Sequence, residues 1–289
     1  MAEKNKNRVL RSRSEWICMW ILVVIFILYA ITLIYPFFWL FVNSFKSYEN
    51  FVEDVWGFPQ PFVARNWLDA FSLVTPNTNV SLLGMFGNTL IFVVLNVGLS
   101  MFFNALSAYV VAKYDFKIMT VIHTIALIFL VVPMFGSLAT LYRFMVDANL
   151  YDTYFGVTFV SMQFFNSTFL FLHAYFRNLS WSYAEAAFID GAGHAKTFFM
   201  IMMPMSVPAI GALSILGVIG TWNDFFNVYM YAPSKATIAV GLQALSSNIQ
   251  DKYPLLFAAM LISLIPIAVV FSVFQKPIME NVSFGGVKG

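Results

Sequence analysis

The chain has 289 residues, 60% of them hydrophobic and only 10% charged, with 16 Lys and Arg against 14 Asp and Glu and a mean hydropathy of +0.78. Soluble domains carry about 25% charged residues, so the composition excludes an ordinary water-soluble fold. A net charge of +2 gives no footing for nucleic acid as a partner, and a single cysteine, Cys18, leaves neither an intrachain disulfide nor a thiolate metal cage to expect.

In chain order, a basic N-terminal stretch, "MAEKNKNRVLRSRSEW", precedes an apolar run from Ile17 to Val42. The run is longer than the apolar region of a signal peptide, so it reads as a retained first span. Further apolar runs cover 88–112, 119–142, 154–176, 200–223 and 254–275. Each is about as long as the ~20 residues needed to cross a bilayer core. The expected fold is therefore all-α and integral to the membrane, with six transmembrane helices. With an even number of spans, one side holds eleven of the 16 Lys and Arg, and that bias puts both termini in the cytoplasm. The expected organisation is a leading unit over 1–87, containing the first span and an external aromatic flap, a five-helix core over 88–276, and a cytoplasmic tail over 277–289. Neither internal repeats nor interrupted helices are evident, which disfavours a stand-alone secondary carrier.

One polar island interrupts the apolar chain. "SYAEAAFID" predicts a short helix, since Ala and Glu are strong helix formers, with Tyr183, Ala187 and Phe188 on its apolar side. Gly191 and Gly193 then break it, Asp190 or Gly191 starts the next helix, and "HAKTFFMIMMP" leads into the fifth span. The island is no nucleotide site. A phosphate loop needs Gly where Asp190 and Ala195 stand, and a dinucleotide fingerprint needs Gly where Lys196 stands. His123, His173 and His194 have no metal-ligand spacing, and no catalytic set is visible. Of the charged residues near spans, Asp224 in "TWNDF" comes nearest to lying inside one.

The stretch "EAAFIDGAGHAKTFFMIMMPMSVPAI" resembles the EAA loop of permease subunits from bacterial ABC importers, matching at Glu185, Ala186, Ala187, Asp190, Gly191, Ala192, Pro204 and Pro208. "PFFWLFVNSFK" at 36–46, "GNTL" at 87–90, "TWNDF" at 221–225 and the closing "GGVKG" resemble the maltose-type, carbohydrate-uptake branch. Met200 and Thr89 depart from the family pattern. The resemblance implies a multi-pass permease of the bacterial cytoplasmic membrane, one of two similar permeases seated on a dimer of ATPase subunits. Residues 181–199 would form a cytoplasmic coupling helix between spans 4 and 5. An external solute-binding protein would deliver a carbohydrate, with amino acids, peptides or phosphate as the alternative cargo. No cofactor is expected on this chain; ATP and Mg fall to the ATPase. Pro204 and Pro208 are expected to bend the fifth span for gating, and Trp222, Asn223, Asp224 and Phe225 to line the substrate path.

Overall fold

The structure, a computed structural model, describes residues 13–131, 138–162, 165–248 and 251–282. Among these residues the elements are helices and the loops between them, with one isolated antiparallel bridge from Val74 to Ser81. Helix α1 (Arg13–Asn43) leads into a segment with α2 (Tyr48–Glu53), α3 (Asn66–Asp69) and a 3-10 turn at Ala70–Ser72. Then come α4 (Leu82–Lys113), α5 (Lys117–Val131), α6 (Leu138–Asp147), α7 (Tyr154–Ser161), α8 (Ser167–Asn178), α9 (Ser182–Ile189) and α10 (His194–Thr197). A π-helical turn, Phe198–Met202, joins α10 to α11 (Met203–Trp222). Helices α12 (Phe226–Tyr231), α13 (Ile238–Asn248) and α14 (Tyr253–Val282) follow. Among the described residues four helices are long and apolar enough to cross a membrane: Ser14–Asn43, Leu82–Lys113, His194–Trp222 and Tyr253–Gln275.

Helix α4 is the axis of the bundle. Ser81 caps it by accepting the Gly84 N–H at 3.2 Å. Its buried positions recur every three or four residues, from Leu82, Met85 and Thr89 to Ala105, Ala108 and Tyr109. They meet α8 and α11. In lipid the association of helices rests on close packing more than on water exclusion, which favours small residues at the contact. Gly217 of α11 is such a residue: a β-carbon there would lie 3.6 Å from Val97 and Met101 of α4. A second cluster gathers Tyr109, Phe169, Leu172, Phe176, Phe198 and Met202, tying α4 and α8 to the π-turn. By contrast α1 keeps its apolar side chains exposed from Trp16 to Phe38 and meets α14 through Trp39, whose ring lies edge-on to Phe257 at 5.3 Å.

The segment after α1 is packed around polar side chains that have lost their water. Lys46 is fully buried and donates to the Asp54 carbonyl. The Asn66 amide donates to the Ser44 and Lys46 carbonyls at 2.9 and 2.8 Å, and Phe45 stacks between Phe62 and Trp67. Burial pulls the Lys46 ammonium below the usual lysine range. The Gly57 and Trp56 N–H groups hold the Asp54 carboxyl below the usual carboxylate range.

Of the run 119–142, the described residues form α5 and α6. Another expected span is not a single helix. The run 154–176 divides into α7 and α8. There Phe165 takes a φ of 58°, and Asn166 caps α8 by accepting the Phe169 N–H at 3.1 Å. A polar cap inside an apolar run restarts the helix, a signal that hydropathy averages away. Residues 132–137 and 163–164, the basic stretch 1–12 and the closing "GGVKG" lie outside the described residues.

Candidate functional site

The polar island folds as two short helices set against the end of α4. In α9, Ala184 and Ala187 are buried and Phe188 is half-buried, whereas Ser182, Tyr183, Glu185, Ala186 and Asp190 are exposed. Tyr183 thus lies outside the apolar face the sequence assigned it to. Ile189 is 86% exposed, an isoleucine turned away from the bundle. The helix ends in a Schellman motif: the Ala192 N–H reaches the Ala187 carbonyl at 2.9 Å and the Gly191 N–H reaches Phe188 at 3.0 Å. Gly191 has a φ of +79°, a conformation a β-carbon resists. Asp190 therefore closes α9, and Gly193 opens α10, rather than Asp190 or Gly191 as the sequence suggests.

An aromatic clamp fixes the island. The Tyr114 hydroxyl and His194 Nδ1 are hydrogen-bonded at 2.7 Å. The Phe188 ring lies 4.9 Å from His194 and 5.9 Å from Trp181, and Trp181 packs edge-on to Tyr114 at 6.1 Å. Lys113, at the end of α4, donates to the Leu179 carbonyl just ahead of the island. Tyr114 and His194 stand 80 residues apart, so no local pattern pairs them.

Between island and bundle comes the π-turn. Pro204 has no N–H to give, and its ring crowds the carbonyl four residues back, on Met200. That carbonyl lies in the π-turn, where the wider repeat relieves the crowding. Pro208 stands inside α11 and leaves the carbonyl of Pro204 without its helical donor. Tyr175 of α8 donates to the Met205 carbonyl at 2.8 Å, bracing this loosened stretch from the side.

At its other end α11 opens onto a cavity of about 280 Å³ between α4, α7, α8 and α12. Polar groups line it: Asn96 and Ser100 from α4, Ser161 from α7, Asn166 and Thr168 from the start of α8, then Thr221, Asp224 and Asn227. The Asp224 carboxylate accepts from the Ser161 hydroxyl at 3.2 Å and from the Asn227 amide at 2.9 Å. Asn96 donates to the Thr221 hydroxyl at 2.8 Å, while its own Oδ1, buried, has no hydrogen-bond partner among the described residues. Of the "TWNDF" residues, Thr221 and Asp224 face this cavity. Trp222 packs on Phe86 at 6.2 Å, Asn223 bonds back to the Ile219 carbonyl, and Phe225 stacks on Tyr229 at 5.2 Å. The polar residues of α4 escaped the sequence reading, although Asn96, Ser100 and Asn104 recur every four residues within an apolar run, a one-faced helical pattern.

The chain belongs to the family of binding-protein-dependent transport system inner membrane components, whose model matches residues 104–280. It is 31% identical over 264 residues to the diacetylchitobiose uptake system permease protein of Streptomyces coelicolor, covering 90% of this chain and 85% of that one. It is 28% identical over 258 residues to a melibiose/raffinose/stachyose import permease of Bacillus subtilis, covering 88% and 91%. In fold it is similar to a chain of a bacterial ABC transporter involved in the import of the acidic polysaccharide alginate, with a TM-score of 0.76 and 23% identity over 92% of this chain and 98% of that one. The chain is thus a transport component of the inner membrane. A helix interruption, the expected mark of a secondary carrier, thus occurs between α7 and α8 in a chain of this family.

Proposed function

We propose that this chain is one permease subunit of an ATP-driven importer of a carbohydrate. The observation that carries the sugar is the agreement between its relatives and its cavity. The permeases named above take up di- and oligosaccharides, and the cavity offers amides, hydroxyls and one carboxylate in an otherwise apolar bundle. Such groups suit a ligand rich in hydroxyls, whereas the Asp224 carboxylate would repel phosphate. Polar and ionisable groups inside a membrane bundle are costly, and those that face a cavity mark a substrate path.

In this reading the six spans are α1, α4, α5 continued by α6, α7 continued by α8, α10 with α11, and α14, with both termini in the cytoplasm. Interruptions are tolerated where the backbone faces protein or a water-filled path. The exposed face of α9, with Glu185, Ala186, Ile189 and Asp190, docks on one of two ATPase subunits that hold ATP and Mg. The small Ala186 lets the partner approach and Ile189 supplies the apolar anchor. ATPase closure pushes the clamped island, and the helix from His194 to Trp222 carries that motion to the cavity. A second permease completes the path, and an external binding protein loads it.

Gentle affinity purification from native membranes tests this. Recovery of a second permease, an ATPase and a solute-binding protein whose ligand is a sugar is the expected result. Recovery of the chain only with itself, transporting without ATP, overturns it.

A further inference from the structure

A second cleft, of about 420 Å³, lies where α4 ends and α5 begins. On its α5 side stand Lys117, Thr120 and His123, three residues apart on one face. On its α8 side stand His173 and Arg177, one turn apart. The two imidazoles meet across the helix pair, tilted by 33° with centroids 4.3 Å apart. Asp115 is the one acidic residue in the lining, against Lys117 and Arg177, so the cleft is cationic. Its volume falls within the roughly 300–1,000 Å³ of small-ligand clefts. On the neighbouring side of α5, Ile118, Val121, Ile125 and Ile128 form an exposed apolar stripe. A cationic cleft beside a long apolar track complements the outline of an anionic lipid.

We propose that this cleft holds the phosphate headgroup of an anionic phospholipid, with its acyl chains lying along the α5 stripe. The Arg177 guanidinium and the Lys117 ammonium bind the phosphate oxygens, and the Thr120 hydroxyl and the imidazoles donate to the remaining ones. Basic clefts between spans at the cytoplasmic boundary suit such headgroups, and the proposed orientation puts this end of α4 there. Tyr114 lines the cleft and also holds His194 in the island. The lipid therefore braces the clamp from the membrane side.

The test uses the purified, delipidated transporter complex, titrated in mixed micelles with dioleoylphosphatidylglycerol, with dioleoylphosphatidylcholine, or with inorganic phosphate alone. Retained lipid is counted by native mass spectrometry, and the unfolding temperature of this chain is followed. Phosphatidylglycerol alone should be retained and raise the midpoint. Lys117→Gln with Arg177→Gln should weaken its retention by about 25-fold, from about fivefold per basic residue. Asp115→Asn should strengthen retention severalfold, a gain that misfolding cannot imitate. Equal effects of the two lipids, full stabilisation by inorganic phosphate, or retention unmoved by Asp115→Asn would each overturn the proposal. None of these readouts depends on the transported solute, so a failed sugar assignment leaves the test intact.

Discussion

The two ends of the helix from His194 to Trp222 are built in opposite ways. At the His194 end, four rings and one hydrogen bond fix a nineteen-residue island (181–199) to the end of α4. At the Trp222 end, amides, hydroxyls and a carboxylate line a cavity, and a buried amide oxygen on Asn96 lacks a partner among the described residues. In the proposed function the first end transmits force and must not deform, and the second passes cargo and must rearrange. One helix would meet both demands because its π-turn and two prolines separate the two ends.

The largest break in that comparison is at Gly191. Gly191→Pro cannot reach a φ of +79° and removes the N–H that bonds to Phe188. ATP-dependent uptake should fall to background, at least 100-fold on the order expected when a coupling element is lost, while the complex still hydrolyses ATP. Wild-type uptake would sink the coupling role of the island. Gly191→Ala meets no neighbour within 4 Å and suffers only from its backbone conformation, so it should cost about 1–2 kcal/mol of stability. Next in size is Asp224→Asn at the opposite end. It removes a charge that organises Ser161 and Asn227, and hydrogen bonds to charged groups are worth about 1.5–3 kcal/mol. Transport should drop about tenfold to a hundredfold with assembly intact. Unchanged uptake would take the cavity off the substrate path.

Much of this was legible in the sequence, for reasons that also mark where legibility stops. The apolar runs for α1, α4, α11 and α14 are long and uninterrupted, so length alone identifies them. The break before α8 rests on Asn166, one polar cap that averaging hides. The Gly191 turn was legible because only glycine is at ease there. The clamp was not, because Tyr114 and His194 meet across 80 residues. His123 and His173 likewise look solitary in sequence, yet their rings are in contact. The cavity fell between these cases, since the spacing of Asn96, Ser100 and Asn104 was readable but the partners on α7 and α12 were not.

The exposed face of α9 carries the next effect. Ile189 is 86% exposed, so Ile189→Ser should leave the unfolding free energy of the isolated chain within about 0.5 kcal/mol of wild type, as surface substitutions usually do. Assembly with the ATPase should weaken by about tenfold, the scale of one apolar anchor lost from an interface. Undiminished co-purification would show that this face is not the dock.

The smallest effect is expected inside the clamp. Tyr114→Phe keeps the ring that packs on Trp181 and removes only the hydroxyl bonded to His194. A single neutral hydrogen bond contributes about 0.5–1.5 kcal/mol, so the unfolding free energy should fall by about 1 kcal/mol. The informative measurement is a double-mutant cycle with His194→Phe, which keeps an aromatic ring beside Phe188. If the bond holds α4 to the island, the two losses should be non-additive by at least about 0.5 kcal/mol, and the ratio of sugar moved to ATP consumed should fall in both single variants. Strict additivity with an unchanged ratio would mean that ring packing alone stiffens the island, and that the hydrogen bond follows from the fold without contributing to the transmission of force.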